Sequence, residues 1–238
     1  MFNFQDQVVV VAGASGNLGQ AVVRLFVQAG ATMVLLDRAP DRLSRLFPEL
    51  TSGSGHMLQG SVDAVEANSV EMAVQRAVAL AGRIDVLVNT VGGYRAGHPV
   101  HETSIEIWDF MHNLNVRTAF ILSRSVIPQM LNQGSGKIVH VAARAALQGG
   151  RNASAYSASK SALVRLVESM AAEYRHKGLN INCVLPGTID TPQNRQAMPD
   201  ANHSRWVAPE AIADVILFLA SETAVAVNGA AVPVFGRS

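Results

Sequence analysis

A tyrosine and a lysine stand four residues apart in the stretch Tyr156-Ser157-Ala158-Ser159-Lys160. On a helix this spacing is one turn, so both side chains can face the same cleft. A free tyrosine has a pKa of about 10 and a free lysine about 10.4. A nearby ammonium stabilises phenolate, so we expect the pKa of Tyr156 to be lowered towards neutral pH. The pair predicts an acid/base group beside a hydride transfer; an ordinary surface pair is the alternative.

A glycine-rich turn, Gly13-Ala14-Ser15-Gly16-Asn17-Leu18-Gly19, follows an apolar strand and opens an amphipathic helix near the N-terminus. Glycines permit the tight turn and the close approach of a pyrophosphate, and the first amides of the helix bind the anion. A turn that merely joins two elements is the alternative, but this context favours dinucleotide binding. The predicted cofactor contacts in the turn are Gly13, Ser15, Gly16, Asn17, Leu18 and Gly19.

An acidic residue, Asp37, ends the second predicted strand. A carboxylate at this point can accept hydrogen bonds from both ribose hydroxyls and repels a 2′-phosphate, which favours NAD over NADP. The adjacent Arg38 could attract that phosphate, so NADP stays an alternative cofactor.

Short apolar runs alternate with amphipathic segments along the whole chain. Strands are predicted at 7–12, 32–36, 56–60, 84–88, 137–142, 180–185 and 230–234, and helices at 18–29, 69–81, 104–133 (broken), 154–177 and 209–221. Continuous apolar strands separated by helices imply a parallel sheet covered on both faces. We therefore predict a doubly wound Rossmann-type α/β fold in one domain, 1–238, with a flexible loop at 51–55.

The composition narrows the classes of function. Nineteen basic and 18 acidic residues give a net charge of +1 without a basic stripe, so we expect no nucleic-acid partner. No apolar run approaches the roughly 20 residues of a membrane helix, and no signal peptide is visible. The only cysteine is Cys183, which suits a reducing compartment, so we expect a cytoplasmic protein with no membrane association. The seven histidines show no metal-binding spacing, so we expect no metal.

Taken together, these motifs resemble the short-chain dehydrogenase/reductase family over nearly the whole chain. The resemblance includes Asn89-Thr90-Val91-Gly92, where the family usually reads NNAG. It includes Asn115 and the stretch Pro186-Gly187-Thr188-Ile189-Asp190-Thr191, which matches PGxIxT.

The resemblance implies a role for each matched position. Tyr156 would be the acid/base, Lys160 would hold the nicotinamide ribose, and Asn115 would position a water in a proton relay to Lys160. The other implied cofactor contacts are Ser61 and Val62 after the third strand, Asn89, Gly92, Pro186, Gly187, Ile189 and Thr191. The family also implies a small-molecule substrate, a carbonyl, alcohol or imine-like compound, and a homodimer or homotetramer.

The sequence departs from the family where the substrate oxygen is usually bound. The family's serine, thirteen residues before the tyrosine, is Ala143 here. Losing one preorganised donor costs roughly 10²–10³ in rate. Ser154, Tyr94 and Arg144 are candidate substitutes, and the expected substrate contacts are Tyr94, Ala143, Arg144 and Gln148.

Ala143 and Tyr94 resemble the dihydropteridine reductase branch, as does the segment 190–201 (DTPQNRQAMPDA). Asn115 fits other short-chain dehydrogenases better. Two alternative functions therefore stay open: reduction of a quinonoid dihydropterin, and a dinucleotide-binding regulator without catalysis. The polar segment 193–206 occupies the family's substrate-loop position and is expected to order on binding.

Overall fold

A computed structural model describes residues 2–51 and 55–237. Its strands form one seven-stranded parallel sheet in the order β3-β2-β1-β4-β5-β6-β7. The strands are β1 (Val8–Ala12), β2 (Thr32–Leu36), β3 (Met57–Gln59), β4 (Val86–Asn89), β5 (Gly136–Val141), β6 (Leu179–Pro186) and β7 (Ala231–Val234). The predicted doubly wound sheet is confirmed.

Helices connect the strands. In the described residues they are α1 (Asn17–Gln28), α2 (Arg42–Leu46), α3 (Ala67–Ala81), α4 (Ile105–His112), α5 (Thr118–Gln133), α6 (Ser154–Tyr174), α7 (Pro192–Ala197) and α8 (Pro209–Ala220). The sequence analysis did not predict α2 or α7. Three residues of the loop predicted at 51–55, namely 52–54, lie outside the described residues.

Apolar layers cover both faces of the sheet. Alternate residues of β1 point to opposite sides, so Val8 and Val10 pack with α3, α5 and α6, while Val9 and Val11 pack with α1 and α8. Burial on both faces explains why the strands are almost continuously apolar. The sheet therefore forms a rigid support for the loops at its carboxyl edge.

The predicted break in the helix at 104–133 is a π-helical turn, Asn113–Arg117, between α4 and α5. Such turns widen a helix locally and are frequent at functional sites. The turn carries Asn115, whose side chain is buried.

The short helix α7 begins the segment that the sequence analysis expected to order on binding. The hydroxyl of Thr191 accepts a hydrogen bond from the Asn194 amide (3.2 Å), and Pro192 occupies the first helical position. Both features favour a helix start. Asp190 and Arg195 add an ion pair of 2.6 Å, so local contacts already order the start of this segment.

Within the described residues, no helix combines the length and the apolar character needed to cross a bilayer. The same residues contain no group of three or more His, Cys, Asp or Glu side chains that could hold a metal ion.

Candidate active site

The predicted site residues lie at the carboxyl edge of the sheet, around β1 and its neighbour β4. The chain runs outward from β1 to β2 and β3 on one side, and continues on the other side with β4. Ligands of open parallel sheets bind at this reversal of strand order. The turn after β1, the loop after β4 and the start of α6 all reach it.

The glycine turn depends on three glycines. Gly13 has a φ of +75°, and a Cβ on it would lie 2.9 Å from Oγ1 of Thr90. A Cβ on Gly19 would lie only 2.2 Å from the carbonyl oxygen of Gly13. Gly16 caps α1 and donates its amide to Gly13 (3.0 Å). The first amides of α1, from Asn17 onward, have no acceptor inside the helix, so they can bind an anion.

Asp37 is held against this turn. Its carboxylate accepts hydrogen bonds from the amides of Ser15 (3.2 Å) and Ala39 (2.9 Å). The position matches that of a ribose-binding carboxylate at the end of β2. The neighbouring Arg38 side chain is exposed.

The loop after β3 reaches the same region. Ser61 is exposed with a left-handed φ of +60°, and Val62 is buried. The Val62 amide donates to the carbonyl oxygen of Asp37 (2.9 Å). The structure therefore brings the predicted adenosine-side residues together.

Lys160 is buried, with 4% of its surface exposed. Its Nζ donates to the carbonyl oxygen of Val141 (2.8 Å). Burial lowers the pKa of this ammonium to about 8, because desolvation disfavours the charged form. A Cβ on Gly92 would lie 3.1 Å from Asn115 Oδ1 and 3.2 Å from Lys160 Nζ. The side-chain amide of Asn115 and the ammonium of Lys160 thus lie on the same side of Gly92.

Asn115 is fixed by hydrogen bonds on both sides of its amide. Its Oδ1 accepts from the Gly93 amide (3.1 Å), and its Nδ2 donates to the Gly93 carbonyl (3.2 Å) and to Ser159 Oγ (3.0 Å). Ser159 in turn donates to the carbonyl oxygen of Tyr156 (2.8 Å). The sequence analysis did not assign a role to Ser159, although it lies between the two residues of the predicted pair.

Tyr156 packs against Tyr94, with the two rings edge to face and their centroids 4.8 Å apart. Burial and, to a smaller extent, the phenol of Tyr94 raise the pKa of Tyr156 to about 12. The predicted lowering of this pKa by Lys160 is therefore wrong for the protein alone. Desolvation of the phenolate outweighs the ammonium, which is itself buried and donates to Val141.

Ala143 follows β5 in an extended conformation and is 7% exposed. Among the three candidate substitutes for the family's serine, Tyr94 contacts Tyr156, and Ser154 lies in a neighbouring cavity. The guanidinium of Arg144 lies 5.1 Å from the ring of Phe235. Arg144 and Gln148, the other two predicted substrate contacts, are exposed.

A buried polar chain supports the loop after β4. Asn89 Nδ2 lies 3.3 Å from Nδ1 of His140, whose Nε2 lies 3.0 Å from Ser123 Oγ. Burial lowers the pKa of His140 to about 3, so the ring is neutral near pH 7. Asn89 also accepts from the Val91 amide (3.0 Å), which fixes the turn before Gly92. No role was predicted for His140 from the sequence.

The predicted contacts in 186–191 lie on the other side of the cleft. The Gly187 amide donates to Val234 (3.1 Å), and the Ile189 carbonyl accepts from Asn194 (2.8 Å). Pro186 ends β6, and Thr191 caps α7. A hydrogen bond of 2.7 Å from Asn17 Nδ2 to Gln193 Oε1 joins α1 to α7. This link between the glycine turn and the substrate loop was not predicted.

These features define a nucleotide-binding α/β protein of the Rossmann type. The amides of α1, the anchored Asp37 and the buried Lys160 fit the phosphates and sugars of a nicotinamide dinucleotide.

Comparisons with known proteins give the same result. A profile of the family described as short chain dehydrogenase matches residues 7–202. The 3-oxoacyl acyl-carrier-protein reductase of Thermotoga maritima is 30% identical, with 98% of this chain and 97% of that protein covered. The 2-(R)-hydroxypropyl-CoM dehydrogenase of Xanthobacter autotrophicus is 32% identical, with 97% and 98% covered.

A solved structure has the same fold as this chain. L-Sorbose reductase from Gluconobacter frateurii, complexed with NADPH and L-sorbose, superposes with a TM-score of 0.88 at 28% identity, covering 99% of this chain and 97% of that one. This chain belongs to the short-chain dehydrogenase/reductase family of NAD(P)-dependent oxidoreductases.

Proposed function

We propose that the protein is an NAD(H)-preferring oxidoreductase that moves a hydride between nicotinamide C4 and a small carbonyl, alcohol or imine-like substrate, with Tyr156 as the acid/base. One observation carries the proposal: Asn115 and the buried Lys160 converge beside Gly92, one helical turn from the phenol of Tyr156. This cluster lies at the edge of the sheet where dinucleotides bind.

The dinucleotide supplies and accepts the hydride. The first amides of α1 would bind its phosphates, and Asp37 would accept hydrogen bonds from the adenosine ribose. Lys160 would hold the nicotinamide ribose, because its buried ammonium lies beside Gly92 in the loop that follows β4. Gly187 and Ile189 would pack beside the nicotinamide from the other side of the cleft, together with Pro186 and Thr191.

The protein's own groups supply the proton. The pKa of about 12 keeps Tyr156 protonated near neutral pH, so it can donate to the substrate oxygen during reduction. Lys160, with a pKa of about 8, is mostly charged at the same pH and stabilises the phenolate that remains. Asn115 would position a water through which the proton is replaced. Oxidation of an alcohol uses the same groups in reverse.

The preference for NAD rests on Asp37. Its carboxylate is oriented by two amides, and a 2′-phosphate at this point would meet a negative charge. We expect NADH to bind more tightly than NADPH in fluorescence titrations. Equal affinities would mean that the exposed Arg38 offsets the carboxylate.

Tyr94 replaces the missing serine in this proposal. It is the candidate that touches Tyr156, and its phenol is near enough to raise the pKa of Tyr156. A hydroxyl beside the acid/base can donate a second hydrogen bond to the substrate oxygen.

The decisive test is Tyr156→Phe, which removes the proton donor and keeps the ring. We expect kcat/KM to fall about 10²–10⁴-fold, while NADH affinity stays within about threefold. Tyr174→Phe, near the other end of α6, is the matched control and should retain activity. Turnover that survives Tyr156→Phe would exclude this tyrosine as the acid/base.

A second candidate is reduction of a quinonoid dihydropterin. Tyr94 is 67% exposed, so a flat heterocycle could stack on its ring. A conjugated acceptor needs less polarisation than a ketone, which would make the missing serine less costly. NADH turnover with quinonoid dihydropterin above the uncatalysed rate would support this candidate. NADH binding with no turnover on any carbonyl or pterin would instead favour a dinucleotide-binding regulator.

We also propose a cytoplasmic homodimer or homotetramer. Ile105 and Trp108 on α4 and Phe120 on α5 are exposed apolar side chains that a second copy could cover. The single thiol, Cys183, is buried and free, which suits a reducing compartment. Sedimentation velocity tests the assembly.

A further inference from the structure

A cavity of about 320 Å³ lies next to the proposed acid/base. Its wall combines the loop after β4, including Tyr94, Arg95 and His98, with residues 152–155 at the start of α6. Tyr94 belongs to this wall and also packs on Tyr156, and Ala155 directly precedes Tyr156. A substrate whose reacting carbon is near Tyr156 can therefore extend into this cavity.

Arg95 gives the cavity its chemical character. Its guanidinium lies 4.1 Å above the ring of Phe110, and in the described residues no carboxylate lies within ion-pair distance of it. Stacking on a ring orients the guanidinium plane and leaves its N–H groups, which lie in that plane, able to donate. No Asp or Glu is present in the cavity wall. In the described residues, the cavity wall therefore contains the Arg95 cation and no carboxylate that would neutralise it.

The surrounding loops increase this positive character. The segments 90–104 and 142–153 contain three arginines, Arg95, Arg144 and Arg151, and one acidic residue, Glu102. The carboxylate of Glu102 lies 4.0 Å from Nδ1 of His98 and outside the cavity wall. Helix α4, which lines the cavity through Ile107, carries the exposed acids Glu106 and Asp109 outside the wall, so the excess of positive charge is confined to the two loops.

We propose that this cavity binds a carboxylate carried by the substrate, with Arg95 as the residue that recognises it. An arginine can bind both oxygens of a carboxylate at once. Asn152 and Ser154, also in the wall, supply neutral hydrogen-bonding groups. The inference rests on the proposed function and narrows its substrate class. The preferred substrates are short oxo acids or hydroxy acids rather than neutral ketones.

Binding to a protein that cannot turn over separates this inference from the proposed reaction. The Tyr156→Phe protein, loaded with NADH, is titrated by calorimetry with 2-oxobutanoate, 3-oxobutanoate, 4-oxopentanoate and the methyl ester of each. We expect at least one acid to bind about tenfold more tightly than its ester. The difference should decrease at high salt, because the ion pair is partly screened.

Substitution of Arg95 then tests the assignment. Adding Arg95→Gln to the same protein should remove the preference for the acid and leave ester affinity within about twofold. Arg175→Gln, at the far end of α6, is the control for loss of one exposed positive charge and should leave the preference unchanged.

The inference is overturned if no acid binds better than its ester, or if Arg95→Gln weakens acid and ester by the same factor. The wild-type protein is assayed separately for NADH oxidation with the same compounds. A preserved acid preference without any turnover would overturn the proposed reaction and leave the carboxylate site standing.

Discussion

The two halves of the carboxyl edge are built differently. On the side of β1 and β2, the main contacts involve backbone: Gly19 packs on the Gly13 carbonyl, and Asp37 accepts from two amides. On the side of β5 and α6, side chains dominate: Tyr94 packs on Tyr156, and Asn115 binds Ser159. The first half fits the general requirement of any dinucleotide, while in the proposed function the second half selects the substrate.

This difference predicts which half of the edge can change without loss of function. Backbone contacts tolerate few substitutions, because a Cβ at Gly19 has no room. A side-chain site can lose one donor and recruit another, which is the role proposed here for Tyr94 in place of the family's serine. We therefore expect single substitutions in the cofactor half to abolish the proposed activity. In the substrate half we expect them to change its rate or its substrate preference.

The largest effect is expected for Gly19→Ala. Alanine favours a helix by roughly 1 kcal/mol over glycine, but its Cβ would lie 2.2 Å from the Gly13 carbonyl oxygen. The backbone must move where the pyrophosphate binds, so NADH affinity should fall more than about 100-fold in a fluorescence titration, a loss equal to two tenfold steps of 1.4 kcal/mol. Gly149→Ala, with nothing within 4 Å of its new Cβ, is the control. Unchanged affinity in Gly19→Ala would refute the packing argument.

The next largest effect is expected for Ala143→Ser, which restores the hydroxyl of the family. If the substrate oxygen lies beside this position, kcat/KM for a simple ketone should rise about 10- to 100-fold, the reverse of losing an oxyanion donor. NADH affinity should not change, because the cofactor half is untouched. Ala145→Ser adds the same hydroxyl two residues away and should have no effect. If Tyr94 is the present donor, Ala143→Ser should raise kcat/KM by a larger factor in a protein that also carries Tyr94→Phe.

The placement of the glycine turn and of Asp37 could be predicted from the sequence, because both depend on local rules. A glycine turn between a strand and a helix, and an acid at the end of β2, are recognised from spacing alone. Most strands and helices follow from apolar periodicity. The helix α2 was missed because, over five residues, only Leu43 is buried, and α7 was missed because none of its six residues is buried.

The substrate half was harder to predict because its contacts join residues far apart in sequence. The Tyr94–Tyr156 and Asn17–Gln193 contacts depend on how loops cross, which no local pattern records. The pKa of Tyr156 was predicted in the wrong direction, because spacing shows the neighbouring ammonium but not the burial of the phenol.

A moderate effect is expected from pH through Lys160. With a pKa of about 8, its ammonium is charged below pH 8 and loses its proton above it. The kcat/KM for carbonyl reduction should therefore fall about tenfold per pH unit above pH 8, while Tyr156, with a pKa of about 12, stays protonated.

The titration of Lys160 does not itself destabilise the folded protein over this pH range. The pKa of Lys160 is lower in the folded state than its ordinary value of 10.5, so the unfolded chain binds more protons between pH 8 and 10.5. The contribution of this group to the free energy of unfolding therefore rises with pH over that window. Lys160→Arg keeps its charge there and should move the fall in kcat/KM to higher pH, whereas Lys177→Arg should not. A fall that stays near pH 8 in Lys160→Arg would exclude Lys160 as its source.

The smallest effect is expected at the hydrogen bond that joins the two halves, from Asn17 Nδ2 to Gln193 Oε1 (2.7 Å). Asn17 begins α1, where the pyrophosphate would lie, and Gln193 lies on α7, so this bond would close across the bound dinucleotide. Both side chains are exposed, and a hydrogen bond contributes about 0.5–1.5 kcal/mol, so Gln193→Ala should speed NADH release about two- to fivefold in stopped-flow fluorescence. Gln196→Ala on the same helix is the control. An unchanged release rate in Gln193→Ala would mean that the two halves act independently during cofactor exchange. Faster release with an unchanged association rate would show that α7 slows the release of the bound cofactor.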